Sequence, residues 1–199
     1  MKNLVGLLLF LISISQLALA TGQAPDVLIY DNKIYDLFSN PLESFYKSEK
    51  ERPVFRISPD ALSSTSNWRG YVAYWEIQDD TLYLRGIDSW ICTFQEYIKH
   101  QCKKADLKVL FGDKCINGKV EASWYSGELR IPDGKQLQYV HMGYGSVYER
   151  DIILTVASGK VVKRETIDNT KKKLPSTDEL ERKELEKLKK SPLGKRKAT

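Results

Sequence analysis

Apolar residues along this chain repeat mostly every second position, and that spacing predicts strands. In residues 68–87 (WRGYVAYWEIQDDTLYLRGI), Tyr71, Ala73, Trp75 and Ile77 fall on one face and Val72, Tyr74 and Glu76 on the other. This is the alternation of a half-buried strand. Gln78, Asp79 and Asp80 supply turn chemistry, after which Thr81, Tyr83 and Arg85 alternate with Leu82 and Leu84. Residues 26–38 (DVLIYDNKIYDLF) predict a second hairpin, because Asp31 and Asn32 tolerate the positive φ of a tight turn. Residues 120–131 (VEASWYSGELRI) predict a third, turning at Ser126-Gly127, with another tight turn at Pro132-Asp133-Gly134. Residues 146–156 and 160–166 predict a fourth, around Ser158-Gly159. Between the last two, residues 142–145 (MGYG) interrupt the pattern as a bulge or a close backbone approach. Four similar hairpins predict a mainly β fold, an antiparallel meander of about eight strands closed into a barrel or folded as a sandwich.

Elsewhere the period lengthens. Pro41 suits the first turn of a short helix over residues 42–47. Residues 52–67 hold two prolines and five Ser or Thr, the composition of a surface loop. In residues 90–111, Phe94, Tyr97, Ile98, Leu107, Leu110 and Phe111 lie three or four apart, which predicts one or two short helices with Asp106 as an internal cap. Past Asn169 the aromatics stop. Ser176 and Glu179 form a capping-box pattern, and Leu180, Leu185 and Leu188 share a face. A charged helix of this kind is marginal alone and orders only by docking, so residues 170–199 are expected to be a basic tail, disordered or helical.

Residues 1–20 stand apart. Lys2, the apolar run Leu4 to Ile14 and Ala18-Leu19-Ala20 have the three parts of a cleavable signal, with Thr21 as the expected mature start. The run is too short to span a bilayer. The expected organisation is a signal peptide at 1–20, an antiparallel β domain at 24–169 and the tail. The expected product is exported, periplasmic or secreted, and keeps no membrane span after cleavage.

Charge sharpens the division. The formal charge is +5, but residues 170–199 alone hold eleven Lys or Arg against five Asp or Glu. The folded part is near neutral, so no nucleic acid is expected as its partner. Of three cysteines, Cys92, Cys102 and Cys115, one must be left over in a monomer. Cys102–Cys115 or Cys92–Cys115 would close a short loop. His100 and His141 are far apart and no Cys/His spacing fits a metal, so neither a metal site nor a cofactor is expected.

No catalytic signature is present, whether a nucleophile elbow, a zinc helix or a phosphate loop. His141 is the best acid–base candidate, with Glu149 or Glu76 as partner. The aromatic set is richer: Trp68, Tyr71, Tyr74, Trp75, Tyr83, Trp90, Trp124, Tyr125, Tyr139, Tyr144 and Tyr148 cluster on the middle hairpins and around the MGYG segment. Tyr and Trp are enriched in binding surfaces, although a small β domain also needs bulky residues inside. The expected binding set is Trp68, Arg69, Tyr71, Trp75, Arg130, His141, Tyr144 and Tyr148.

The stretch WRGYVAYWEIQDDTLYLRGI, together with GELRIPDGKQLQYVHMGYGSVYE and NPLESFY, resembles a family of small uncharacterised bacterial proteins. The resemblance covers residues 28–169 and implies no activity, cofactor or catalytic residue; the cysteines and the basic tail fall outside its pattern. The expected function is a non-enzymatic binding or inhibitor module with an aromatic-rich surface, its partner an unknown protein or small ligand. A hydrolase or lyase using His141, or a β-barrel holding a small apolar ligand, are the alternatives.

Overall fold

The computed structural model describes residues 22–46, 51–60 and 64–190. The expected signal at 1–20, Lys47 of the first expected helix and the tail end at 191–199 lie outside them. In chain order the strands are β1 (Asp26–Tyr30), β2 (Lys33–Leu37), β3 (Phe55–Arg56), β4 (Val72–Gln78), β5 (Thr81–Asp88), β6 (Trp90–Ile91), β7 (Lys103–Lys104), β8 (Cys115–Ile116), β9 (Lys119–Glu121), β10 (Gly127–Gln138), β11 (Val147–Ala157) and β12 (Lys160–Asp168). The helices are α1 (Phe94–Ile98), α2 (Leu107–Phe111) and α3 (Thr177–Lys190).

Local turn chemistry explains the hairpins. Asp31-Asn32, Asp79-Asp80 and Ser158-Gly159 all have positive φ, as a two-residue type I′ turn requires. These turns join β1 to β2, β4 to β5 and β11 to β12, in the expected places. Asn117-Gly118 makes a further one between β8 and β9.

The third expected hairpin does not form. β9 pairs with β5 and β8, whereas β10 pairs with β11, so the two halves of residues 120–131 separate. Pro132-Asp133-Gly134 is not a turn either. Pro132 and Asp133 continue β10 opposite Asp151 and Arg150, and the register then slips before Gln136. Gly134 takes φ +83°, and the Glu149 carboxylate accepts the Lys135 N–H at 3.0 Å, holding a bulge that lets one long strand bend.

The main sheet runs β10-β11-β12-β5-β4-β1-β2, with β9 and β8 branching from β5. It departs from a meander because β1 lies parallel to β4, with Leu28 opposite Trp75. The sheet is not closed into a barrel. Its outer strands β2 and β10 meet just past the end of β2, where the Phe38 N–H donates to the Arg130 carbonyl at 2.8 Å and the Ser39 hydroxyl bridges Glu128 and Arg130. A second sheet of three short strands, β3-β6-β7, gives part of the expected 52–67 loop a partner.

The buried face is continuous across strands. Leu28, Trp75, Leu84 and Val120 are neighbours in register and all fully buried. Each such side chain contributes roughly 1.5–3 kcal/mol by leaving water. Phe45, Phe111 and Trp124 pack together at one end of this core, with centroids 4.8–6.0 Å apart. Phe111 belongs to α2, whose N-cap is Asp106, as expected: its carboxylate accepts the Val109 N–H at 2.9 Å. The first expected helix is shorter, a single 3-10 turn at Pro41–Ser44.

The cysteine pairing differs from both expected loops. Cys92 bonds Cys102 around α1, and Cys115 is free. Cys115 lies in β8, held by its ladder with Val120.

Candidate functional site

Asp26 begins β1 with its carboxylate turned into the core. Oδ1 accepts the Ala73 N–H at 3.1 Å, Oδ2 accepts the Trp75 indole N–H at 3.1 Å, and the Arg69 guanidinium lies 3.4 Å away. Asp26, Tyr71 and Trp75 are fully buried, and Arg69 nearly so. Burial pushes the Asp26 carboxyl up to about 6; Arg69, Trp75 and Ala73 offset only part of the lost hydration. Arg69 loses water too, but Asp26, Tyr144 and Tyr71 outweigh that and keep its guanidinium charged.

Tyr144 extends this cluster to the MGYG segment. Its hydroxyl accepts from Arg69 Nη1 at 2.8 Å and lies 3.1 Å from the Ala24 carbonyl and 3.0 Å from Asn40 Oδ1. Its ring stacks on Phe38 at 4.9 Å. Burial pushes the phenol up to about 12, so it stays protonated and can donate. Arg130 holds the same segment from the other side. Its guanidinium donates to the Tyr144 carbonyl at 2.6 Å, the Ser146 carbonyl at 2.8 Å and the Asp151 carboxylate at 2.8 Å. Tyr148 packs edge-on against Phe38 at 5.7 Å. Tyr71 completes the interior by donating to Glu43 at 2.8 Å, a carboxylate that Arg52 also binds at 2.9 Å.

Six of the expected binding residues, Arg69, Tyr71, Trp75, Arg130, Tyr144 and Tyr148, therefore share one polar–aromatic network, which points inward except at Tyr148, half-buried with its hydroxyl donating to Gln136 at 3.3 Å. Trp68 is half-buried after the 3-10 turn at Thr65–Asn67. His141 is exposed, its Nδ1 2.6 Å from the Tyr139 hydroxyl. Glu149 is engaged at the β10 bulge and Glu76 pairs with Arg85 at 3.4 Å, so neither carboxylate is the hydrogen-bond partner of His141. Asp26, Asn40 and Glu43 complete the network and were not expected from sequence. The available signal was Asp26 itself, an acid heading the apolar run Val27 to Tyr30.

The outer face of the main sheet differs in character. Ile29 sits opposite Ile34 on one side and Glu76 on the other, and Val27 sits opposite Tyr74. Directly opposed strand residues share a face, so these five side chains form one patch. Ile34 is 76% exposed, Tyr74 40% and Ile29 37%. A register slip between Tyr74 and Trp75 leaves Arg85 as the extra residue in β5 and sets it beside Glu76. The patch borders an open groove of about 470 Å³ lined by Ile29, Asp31, Asn32, Glu76, Gln78 and Arg85, among others.

Among the described residues no group of three or more His, Cys, Asp or Glu could hold a metal ion, and no helix is long and apolar enough to cross a membrane. No family model matches the chain, and no curated protein or solved structure matches it at a significant level.

Proposed function

We propose that the protein is an exported, non-enzymatic binding module that docks a protein partner on the outer face of β2, β1 and β4. The observation that carries this is the uncovered patch of Ile29, Ile34 and Tyr74 beside the polar groove with Glu76 and Arg85. An apolar centre with a charged rim is the usual anatomy of a protein interface. Each of the three side chains is worth roughly 1–2 kcal/mol when a partner removes it from water. The Cys92–Cys102 disulfide supports export, since such bonds persist in oxidising compartments. The aromatic-rich interior holds the strands that carry this face rather than forming it.

A photo-crosslinking residue placed at Ile34 in the producing cell tests the proposal. It is expected to yield one discrete protein adduct, while the same residue at the exposed Glu121 yields none. Ile34→Asp with Tyr74→Ala is expected to abolish retrieval of that adduct partner by untagged competition, with the unfolding midpoint unchanged. Absence of an adduct at Ile34, or equal adducts at both positions, would overturn it.

A further inference from the structure

α1 contributes no buried residue to the protein. A five-residue helix without packing has no intrinsic stability, because nucleation costs more than so few hydrogen bonds return. Several restraints hold it instead, among them the Tyr97 hydroxyl, which donates to the Asp60 carbonyl at 3.4 Å. The Cys92–Cys102 disulfide closes its ends. A capping box fixes its start, with the Thr93 N–H donating to Glu96 at 2.7 Å and the Glu96 N–H donating to the Thr93 hydroxyl at 3.2 Å. The Arg56 guanidinium lies 4.4 Å over the Tyr97 ring, tying the helix to β3.

This restrained helix displays an apolar ridge to solvent. Phe94 and Ile98 are four residues apart, hence on one face, and are 71% and 59% exposed. Lysines follow α1 closely in the chain. Lys99 and Lys103 are exposed and enter no ion pair among the described residues, while Lys104 is held by Asp88 at 2.8 Å. Of the acids beside α1, Asp60 lies 3.7 Å from His100, and Glu96 is engaged by the Thr93 cap, whose hydrogen bonds, with the Lys103 charge, hold its carboxyl below the ordinary range.

We infer that α1 is an interfacial anchor for an anionic lipid surface: Phe94 and Ile98 enter the headgroup boundary while Lys99 and Lys103 meet the headgroup charges. A protruding ridge of two apolar residues needs a matching pocket on a protein, whereas a fluid bilayer accommodates it without one. Apolar insertion combined with nearby exposed lysines is what such surfaces select. The chain then binds two things at once, a membrane surface through α1 and a protein through the outer face of β1, β2 and β4. The lipid site is independent of the protein site, since it shares no residue with it.

Sedimentation of the full chain with vesicles tests this, using phosphatidylcholine alone and phosphatidylcholine with 30% phosphatidylglycerol. Partitioning is expected to be about tenfold or more stronger on the anionic vesicles. Phe94→Ser with Ile98→Ser is expected to lower it about tenfold, and Lys99→Glu with Lys103→Glu to remove the preference for phosphatidylglycerol. Val162→Ser, at a residue 62% exposed and outside both sites, serves as a matched apolar deletion and is expected to leave sedimentation unchanged. The C-terminal lysines are common to every variant, so they do not mimic the Phe94 effect. No sedimentation of the wild-type chain overturns the inference. So does equal sedimentation of the Phe94/Ile98 variant, or a Phe94-dependent soluble protein complex without vesicle binding.

Discussion

Arg69 donates to the Tyr144 hydroxyl at 2.8 Å and so joins the start of the β4 hairpin to a loop 75 residues later. The same hydroxyl meets the Ala24 carbonyl and Asn40, so four separate segments converge on one oxygen. Tyr144→Phe keeps the stack on Phe38 and removes only that oxygen. Arg69 would lose a partner in a buried place, which costs about 1–3 kcal/mol. The expected outcome is a lower urea midpoint with an unchanged slope. A midpoint equal to wild type would show that the hydroxyl does not bind these segments together.

Asp26 makes stability depend on pH in an unusual direction. Its folded carboxyl is raised from 3.8 to about 6, so the folded state holds the proton that the unfolded chain gives up. The resulting stabilisation is fully present below the unfolded value and is lost as pH rises through about 6. Its full size is about 3 kcal/mol at 1.36 kcal/mol per unit. Urea unfolding of wild type and Asp26→Asn at pH 4, 5, 6 and 7 reads it out. Wild type is expected to gain on the variant as pH falls from 7 to 4. A constant or shrinking difference would contradict the burial argument.

Arg130 carries three acceptors in one planar fork: the Tyr144 carbonyl, the Ser146 carbonyl and the Asp151 carboxylate. Lysine presents a point charge and cannot span that arrangement. Arg130→Lys is therefore expected to cost about 2–3 kcal/mol despite keeping the charge. Amide exchange at residues 143–146 should accelerate as well. Wild-type stability in this variant would show that charge alone suffices there.

Glu184 is the buried point at which the C-terminal helix meets the domain, in addition to the Thr177 hydroxyl, which accepts from the Gln138 amide at 3.0 Å. Glu184 is 6% exposed, and its carboxylate accepts the Tyr144 N–H at 3.2 Å. α3 is otherwise mostly exposed and marginal by itself. Glu184→Ala is expected to speed amide exchange over residues 177–190 by about tenfold, the effect of one lost hydrogen bond of about 1.4 kcal/mol. The unfolding midpoint of the β domain should stay within about 0.5 kcal/mol of wild type. Unchanged exchange in α3 would mean that other contacts hold the helix.

Much of the β layout was legible because two-residue turns are decided locally. Asp31-Asn32, Asp79-Asp80 and Ser158-Gly159 each tolerate positive φ, and each lies between alternating apolar runs. Asn117-Gly118 carries the strongest such signal, but the helical spacing that precedes it masks the hairpin. The 120–131 hairpin failed for a different reason. Ser126-Gly127 has turn composition, but Leu129 pairs with buried Leu154 and Ile131 with partly buried Ile152 on β11 rather than with β9. The candidate site was partly legible. Its aromatic and arginine members were identifiable by type, but burial of Arg69, Tyr71 and Trp75 depends on neighbours far away in sequence. The uncovered patch was hidden for the same reason: Ile29 and Tyr74 look like core residues until the sheet shows which face each occupies.

The sequence by itself determined the strand periodicity, the type I′ turns, the Asp106 cap and the segregation of basic charge into the tail. These rest on backbone preferences and on side chains a few residues apart. Tertiary structure alone decided the parallel seating of β1 on β4, the Cys92–Cys102 pairing and the open sheet. It also decided that the Tyr144 hydroxyl meets Arg69 inside the protein. Each of those depends on which distant segments share the loss of water, and pairing over long separations is set by the packing of the whole core rather than by any local run of residues.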